Sequence, residues 1–156
     1  MGKEIERKFL VNPKLWESAE KPAGVFYRQG YILAEPGKTV RVRIAGNAGF
    51  LTIKGAAEGI SRDEFEYEIP LKDAEEMLDK LCGSEVVKKR YKVFYGGKLW
   101  EVDVFEGGNQ GLILAEIELK SEDELFDVPE WIDKEVTGDL RYYNSYLSMY
   151  PFKGWG

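Results

Sequence analysis

The sequence predicts an α+β fold: a closed eight-stranded antiparallel β-barrel with helices packed on the outside. Three observations predict it. Segments alternating between apolar and polar residues recur along the chain, most of them bounded by Gly, Pro or Asn. Helical patterns occur only between these segments and are short. Sorted by face, the segments show one apolar side and one almost wholly ionic side, as expected if the sheet curls until the ionic side becomes a lumen.

In chain order, KEIERKFLV is the first strand, and PKLWESA (13–19) places proline in the first turn of a short helix. YRQGYIL, TVRVRIA, FLTIKG and DEFEYEIP follow as strands. LKDAEEMLDKLC is an amphipathic helix with Ala74, Met77, Leu78 and Leu81 on one face. VKKRYKVF, KLWEVDVFEG and LILAEIELK complete the strands. SEDELFD has Ser121 and Glu124 at capping-box spacing and predicts a helix. DLRYYNSYL predicts another, capped by Asp139 and burying Leu140, Tyr143 and Leu147. No repeat or Pro/Ser-rich linker divides the chain, so one domain is expected over residues 1–156.

Composition removes several functions. With 28 acidic and 22 basic residues and a net charge of -6, the chain lacks the basic excess of a nonspecific nucleic-acid binder. No stretch approaches the roughly 20 apolar residues that span a bilayer, and the N-terminus carries charges where a signal peptide needs an apolar run. A cytoplasmic protein with no membrane partner is expected. Cys82 is the single cysteine, cannot form an internal disulfide, and is expected to pack. Histidine is absent, which removes imidazole as a catalytic base and as a metal ligand. Any metal must be held by oxygen, favouring Mg²⁺, Mn²⁺ or Ca²⁺ over zinc.

The ionic face carries the functional signal. Ile5, Phe9, Val42, Phe65, Trp100, Val102 and Ile117 typify the apolar face. Opposite them lie Glu4, Glu6 and Lys8; Arg41 and Arg43; Thr52 and Lys54; Glu64, Glu66 and Glu68; Lys88, Arg90 and Lys92; Glu101 and Asp103; and Glu116, Glu118 and Lys120. A solvated polar face accounts for any one of these strands. It does not account for the set, because neutral polar residues are nearly missing and the signs segregate by strand. Like charges at alternate positions repel unless a ligand of opposite sign lies between them. Carboxylate pairs invite divalent cations and basic pairs invite phosphates. A polyanion carrying metal ions satisfies both, and an eight-stranded barrel has room for one small ligand.

These residues resemble a known family. EIERK, with Glu4, Glu6 and Lys8, is similar to the ExExK signature of the CYTH superfamily, the triphosphate tunnel metalloenzymes. The resemblance continues in order through VRVR (40–43), LTIK (51–54), SRDEFE (61–66), KKRY (88–91), WEVDVF (100–105), AEIEL (115–119) and KEVTGDLRYYN (134–144). It implies a tunnel that binds a linear triphosphate with Mg²⁺ or Mn²⁺ as cofactor. Glu4, Glu6, Glu116 and Glu118 would hold the metal, with Asp103 a further ligand or supporting acid. Lys8, Arg41, Arg43, Lys54, Arg62, Lys88 and Arg90 would grip phosphate oxygens. Catalysis would rest on Glu4, Glu6, Lys8, Glu116 and Glu118: one cation would bridge phosphates, while a second would orient a water for attack on the terminal phosphorus. Glu64 and Glu66 are tunnel acids that either contact metal or keep the bases ordered. The terminal KEVTGDLRYYN would close one end, with Lys134, Glu135 or Arg141 near the opening.

The resemblance implies hydrolysis of a triphosphate, with the compact form most similar to the small bacterial inorganic tripolyphosphatases. Class IV adenylate cyclases and thiamine, nucleoside or RNA triphosphatases share the tunnel. The cyclases often show a His-Phe pair before ExExK, and this chain has no histidine. A noncatalytic polyphosphate-binding module would need the bases but not both carboxylate pairs. The outer surface is compatible with a monomer or a homodimer.

Overall fold

The computed structural model describes residues 2–155. Its elements are β1 (Gly2–Val11), α1 (Pro13–Ser18), β2 (Val25–Glu35), β3 (Lys38–Ala45), β4 (Ala48–Gly55), β5 (Ser61–Ile69), α2 (Leu71–Leu81), β6 (Glu85–Tyr95), β7 (Lys98–Phe105), β8 (Ile113–Glu118), β9 (Ile132–Glu135) and α3 (Asn144–Met149). All eight expected strands form. Hydrogen bonding runs β1-β5-β4-β3-β2-β6-β7-β8 and returns to β1, every pairing antiparallel, so the sheet is a ring. The β6–β7 turn shows why sequential strands pair so tightly. Gly96 and Gly97 both have positive φ, at 59° and 77°, the backbone that a two-residue hairpin of matching twist requires.

The ring differs from a uniform eight-stranded wall at one seam. One edge of β1 pairs with β8 from Glu6 to Leu10. The other edge is shared: Gly2 to Ile5 pair with β5, whereas Phe9 and Val11 pair with β9. This ninth strand was not expected, because four residues reading IDKE carry no apolar alternation. It covers the length of β1 that β5 leaves unpaired, where backbone groups would otherwise lack partners.

Two helix expectations also change. SEDELFD is not a helix. Glu124 N donates to Ser121 O at 3.2 Å in a turn, Ser121 Oγ donates to Asp123, and the Glu124 carboxylate engages Lys98. A capping-box spacing is thus used by side chains bonded elsewhere. In DLRYYNSYL, Asp139 does cap, accepting from Arg141 N at 3.1 Å, but it starts a 3₁₀ turn over Leu140–Tyr142. Changing the period leaves Leu140 65% exposed, while Leu147 in α3 is fully buried.

Two of the three core clusters lie outside the ring, between its apolar face and the segments that cover it. Phe9, Trp100, Val102 and Ile117 pack against Trp16 of α1 and Trp131 of the chain leading into β9. These rings meet edge to face, Trp16 and Trp131 with centroids 5.1 Å apart. A second cluster lies on the inward face beyond the cavity, where Val86, Phe105 and Leu114, in register with Gln29, Lys88 and Asp103, meet Leu147 of α3. The third lies beneath α2, where Ala74 and Leu78 cover Val42. Met77 is partly buried there and Leu81, at the helix end, is exposed.

Helix α2 sits close because the sheet offers no side chain beneath it at two points. A Cβ added at Gly49 would lie 2.8 Å from the Ala74 Cβ and 3.1 Å from the Ile69 carbonyl oxygen; at Gly30 it would lie 2.9 Å from the Cys82 Cβ. Gly49→Ala should therefore lower stability by about 1–3 kcal/mol, read from urea denaturation. An unchanged midpoint would place the helix farther from the sheet than described. Among the described residues, no helix is long and apolar enough to cross a membrane.

Candidate active site

The inward face encloses a cavity of about 360 Å³, within the size range of small-molecule sites. Alternate residues of each strand reach it, and cross-strand register sets who meets whom. Glu6 stands opposite Glu118, Lys8 opposite Glu116, Lys54 opposite Glu64, and Glu4 opposite Arg62. Glu66, Arg41, Arg43 and Arg90 also line it. Glu4, Lys8, Arg41, Arg43 and Arg90 are buried despite their charge, which rules out a freely solvated polar face.

The acids gather at β1 and β8. Glu4 Oε2 accepts from Lys54 Nζ at 2.8 Å, and Glu64 approaches the same ammonium at 3.5 Å. Burial pushes Glu4 up, but Lys54 outweighs it and holds the carboxyl below its usual range. Glu6 and Glu116 are pushed in opposite directions. Burial raises both, then Lys8, a hydrogen bond from Glu6, and Arg90 pull Glu116 well below the ordinary value. Glu6, buried beside ionised Glu116, is pushed well above it. Burial and the charge of Glu4 also raise Glu64 and Glu118.

This donor set is entirely oxygen, the ligand chemistry of Mg²⁺ and Mn²⁺, and the crowding that raises Glu6, Glu64 and Glu118 is what a divalent cation relieves. Among the described residues, no three carboxylates already stand together as a finished metal cluster.

Most of the bases occupy β3, β4 and β6, with Lys8 on β1 and Arg62 on β5. Arg90 forks onto Asp103, Nε to Oδ1 at 2.7 Å and Nη2 to Oδ2 at 2.9 Å. Lys88 Nζ donates to Asp103 Oδ2 at 2.6 Å and to Asn144 Oδ1 at 3.0 Å. Lys88 and Asp103 are 0% and 2% exposed, so both lie behind the lining. Neither Lys88, expected at the phosphates, nor Asp103, expected as a metal ligand or supporting acid, is among the cavity-lining residues; Lys88 spends two of its three N–H donors on Asp103 and Asn144, and both Asp103 oxygens accept from the neighbouring bases. Despite burial, Arg90 and Lys88 hold Asp103 at about 2. Lys88 is the group that yields, lowered by burial against the pull of Asp103, and further by Arg90 and Arg43, to about 7.

Because Asp103 and Glu116 are held below their unfolded values of about 3.9 and 4.3, the stability they contribute is complete above those values. It is lost as pH falls toward their folded values. The melting temperature should therefore drop from about pH 4.5 to about pH 2. A flat profile over that window would show that these carboxyls are not ionised in the folded protein.

Arg41 Nη2 donates to Thr52 Oγ1 at 3.1 Å and Arg43 Nε to Gln29 Oε1 at 2.8 Å. The buried Nε atoms of Arg41 and Arg62 have no acceptor among the described residues. Both line the cavity, so each offers a donor to an incoming anion.

Several site residues carried no charge and so escaped the face sorting. Tyr27 and Tyr31 of β2 line the cavity, and Tyr27 places its ring 4.9 Å from the Arg43 guanidinium carbon and 5.0 Å from that of Arg90. Thr137, Gly138, Tyr143, Asn144 and Ser145 come from the terminal segment. Tyr143, expected only to pack, lies 5.1 Å from Lys8 Nζ, and the Tyr142 carbonyl accepts from that ammonium at 3.0 Å. Of the charges expected near the opening, Lys134, Glu135 and Arg141, none is among the cavity-lining residues. Glu135 binds Arg7, Arg141 binds Asp139, and Lys134 is exposed. The alternation of β2 gave a usable signal, since 27, 29 and 31 share one face.

A ring of antiparallel strands whose inner surface sets carboxylates against buried bases defines a protein that binds a polyanion together with cations. The chain belongs to the CYTH family, matching the CYTH domain over residues 2–145. It is 53% identical over 154 residues to an inorganic triphosphatase of Acetivibrio thermocellus, covering 98% of this chain and 97% of that protein. To an inorganic triphosphatase of Nitrosomonas europaea it is 38% identical over 155 residues, covering 94% and 97%. The fold matches a crystal structure of an inorganic triphosphatase with a TM-score of 0.65 and 35% identity, covering 94% of this chain and 97% of the other.

Proposed function

We propose that this protein is a metal-dependent triphosphatase that hydrolyses inorganic tripolyphosphate to orthophosphate and diphosphate. The observation that carries the reading is a single cavity lined both by the carboxylates of Glu4, Glu6, Glu116 and Glu118 and by the bases Lys8, Arg41, Arg43, Lys54, Arg62 and Arg90. The whole chain, 1–156, acts as one closed triphosphate-tunnel domain in the cytoplasm.

The bases do the binding. Guanidinium groups fork across two phosphate oxygens and ammonium groups act as point charges, together neutralising the charge that spreads over the equatorial oxygens during transfer. Arg41 and Arg62 offer donors that no other described residue uses. Asp103 and Lys88 fix Arg90 from behind rather than touching substrate. Mg²⁺ or Mn²⁺ would be held by Glu4, Glu6, Glu116 and Glu118, and when bound polarises phosphoryl oxygens and makes water more acidic. The ionised Glu116 and its neighbours Glu4 and Glu118 orient the attacking water and accept its proton. The bond from the terminal phosphorus to its bridging oxygen breaks, and diphosphate leaves.

The test is purified protein with Mg²⁺ or Mn²⁺, offered tripolyphosphate, ATP and thiamine triphosphate, with orthophosphate and cyclic AMP both measured. Orthophosphate from tripolyphosphate is expected. Release from none of the three would sink the assignment, and cyclic AMP from ATP would move the chain among the cyclases.

A further inference from the structure

Four bases of the cavity contrast in what holds them. Lys54 and Arg90 are bonded to carboxylates, at 2.8 Å to Glu4 and 2.7 Å to Asp103. Arg41 and Arg43, adjacent on the inward face of β3, are held differently. Their side-chain hydrogen bonds to described residues go only to neutral oxygens, those of Thr52 and Gln29.

Gln29 is built into this role. Its side chain is fully buried, and β2 places it directly opposite Arg43. Gln29 Nε2 donates to Tyr31 Oη at 3.2 Å, which turns the amide so that Oε1 faces the guanidinium. A buried amide must have partners, and both of its ends are occupied here. Thr52 serves Arg41 in the same way from β4: its hydroxyl accepts from Arg41 and donates to Glu66 Oε1 at 3.3 Å, keeping that carboxylate one group away. Both strands that flank β3 thus offer its arginines a neutral acceptor, and the lumenal positions on either side of these acceptors, Tyr27 and Tyr31 on β2 and Phe50 and Lys54 on β4, add no acid.

We infer that Gln29 is a positioning residue for anion binding: it orients the Arg43 guanidinium through a neutral oxygen, as Thr52 orients Arg41, leaving both positive charges uncompensated for a phosphate chain. The inference rests on a triphosphate occupying this cavity. Orientation and neutralisation are separate services, and a carboxylate would supply the first while removing what the substrate needs. Repulsion among Arg41, Arg43 and Arg90 is the standing cost of that arrangement, visible in the lowered basicity of Arg43 that burial and those two neighbours produce.

Gln29→Glu tests it, because the replacement keeps the length and reach of the side chain, exchanges the donor to Tyr31 for an oxygen that accepts from the same hydroxyl, and adds a charge beside Arg43. The empty variant should melt no lower than wild type, since the new carboxylate offsets the clustered guanidinium charge. Its dissociation constant for tripolyphosphate, by calorimetry without added divalent metal, should rise about tenfold, with KM rising more than kcat falls in the presence of Mg²⁺. Gln29→Met, of similar length and without an acceptor, should weaken tripolyphosphate binding while also lowering the melting temperature. A purely structural glutamine predicts that affinity follows stability in both variants. Wild-type affinity in Gln29→Met, or in a folded Gln29→Glu, would overturn the inference. If the wild-type protein itself neither binds nor hydrolyses tripolyphosphate, the triphosphatase reading fails instead.

Discussion

Asp103→Ala is expected to lower the folding free energy by about 3–5 kcal/mol, measured by chemical denaturation. Its two oxygens accept from Lys88 at 2.6 Å and from Arg90 at 2.7 and 2.9 Å, and all three residues are buried. Removing the acid leaves two buried cations facing Arg43, and Lys88, wholly shielded from solvent, cannot recover the lost attraction from water. Lys88 would retain the Asn144 amide oxygen and release its proton more readily still. Asp103→Asn should cost less, since it preserves the shape and one acceptor. A loss below about 1 kcal/mol for the alanine variant would show that water reaches this cluster.

Glu118→Gln is expected to reduce metal-dependent turnover by about 10²–10³-fold with the fold intact. Among the described residues Glu118 makes no ion pair, and burial with the charges of Glu4 and Glu101 pushes its carboxyl up. Removing its charge should leave the empty protein as stable as before or slightly more so. A drop in kcat accompanied by an unchanged or raised melting temperature separates a role in catalysis from one in folding. Glu4→Gln is the harsher companion, because Glu4 also holds Lys54 at 2.8 Å. Near-normal kcat in both variants would mean that the cation site is misplaced.

The strands were legible because each pairs a repeating apolar face with an ionic one, a pattern that survives whatever the tertiary partner. Strand β9 was not, since its existence depends on the stretch of β1 that β5 leaves unpaired rather than on anything in IDKE. The false helix at SEDELFD has the same origin. Glu124 divides its carboxylate between Lys98, 26 residues away, and the Lys120 N–H, one residue before the expected cap. In the site, charge made Glu4, Glu6, Lys8, Arg41, Arg43, Lys54, Arg62, Glu64, Glu66, Arg90, Glu116 and Glu118 conspicuous, and all of them line the cavity. Charge says nothing of depth, which is why Lys88 and Asp103 belong to the wall behind it. Gln29, Tyr27 and Tyr143 were missed for the opposite reason: neutral side chains acquire a role only when folding brings a cation against them.

The most direct measurement is the stoichiometry of phosphate release from tripolyphosphate before and after removal of divalent cations, with folding followed by circular dichroism. The account predicts one orthophosphate and one diphosphate per tripolyphosphate consumed, loss of release on chelation without unfolding, and recovery on adding Mg²⁺ or Mn²⁺. Undiminished release by the chelated protein, or none from the metal-supplemented one, would contradict it.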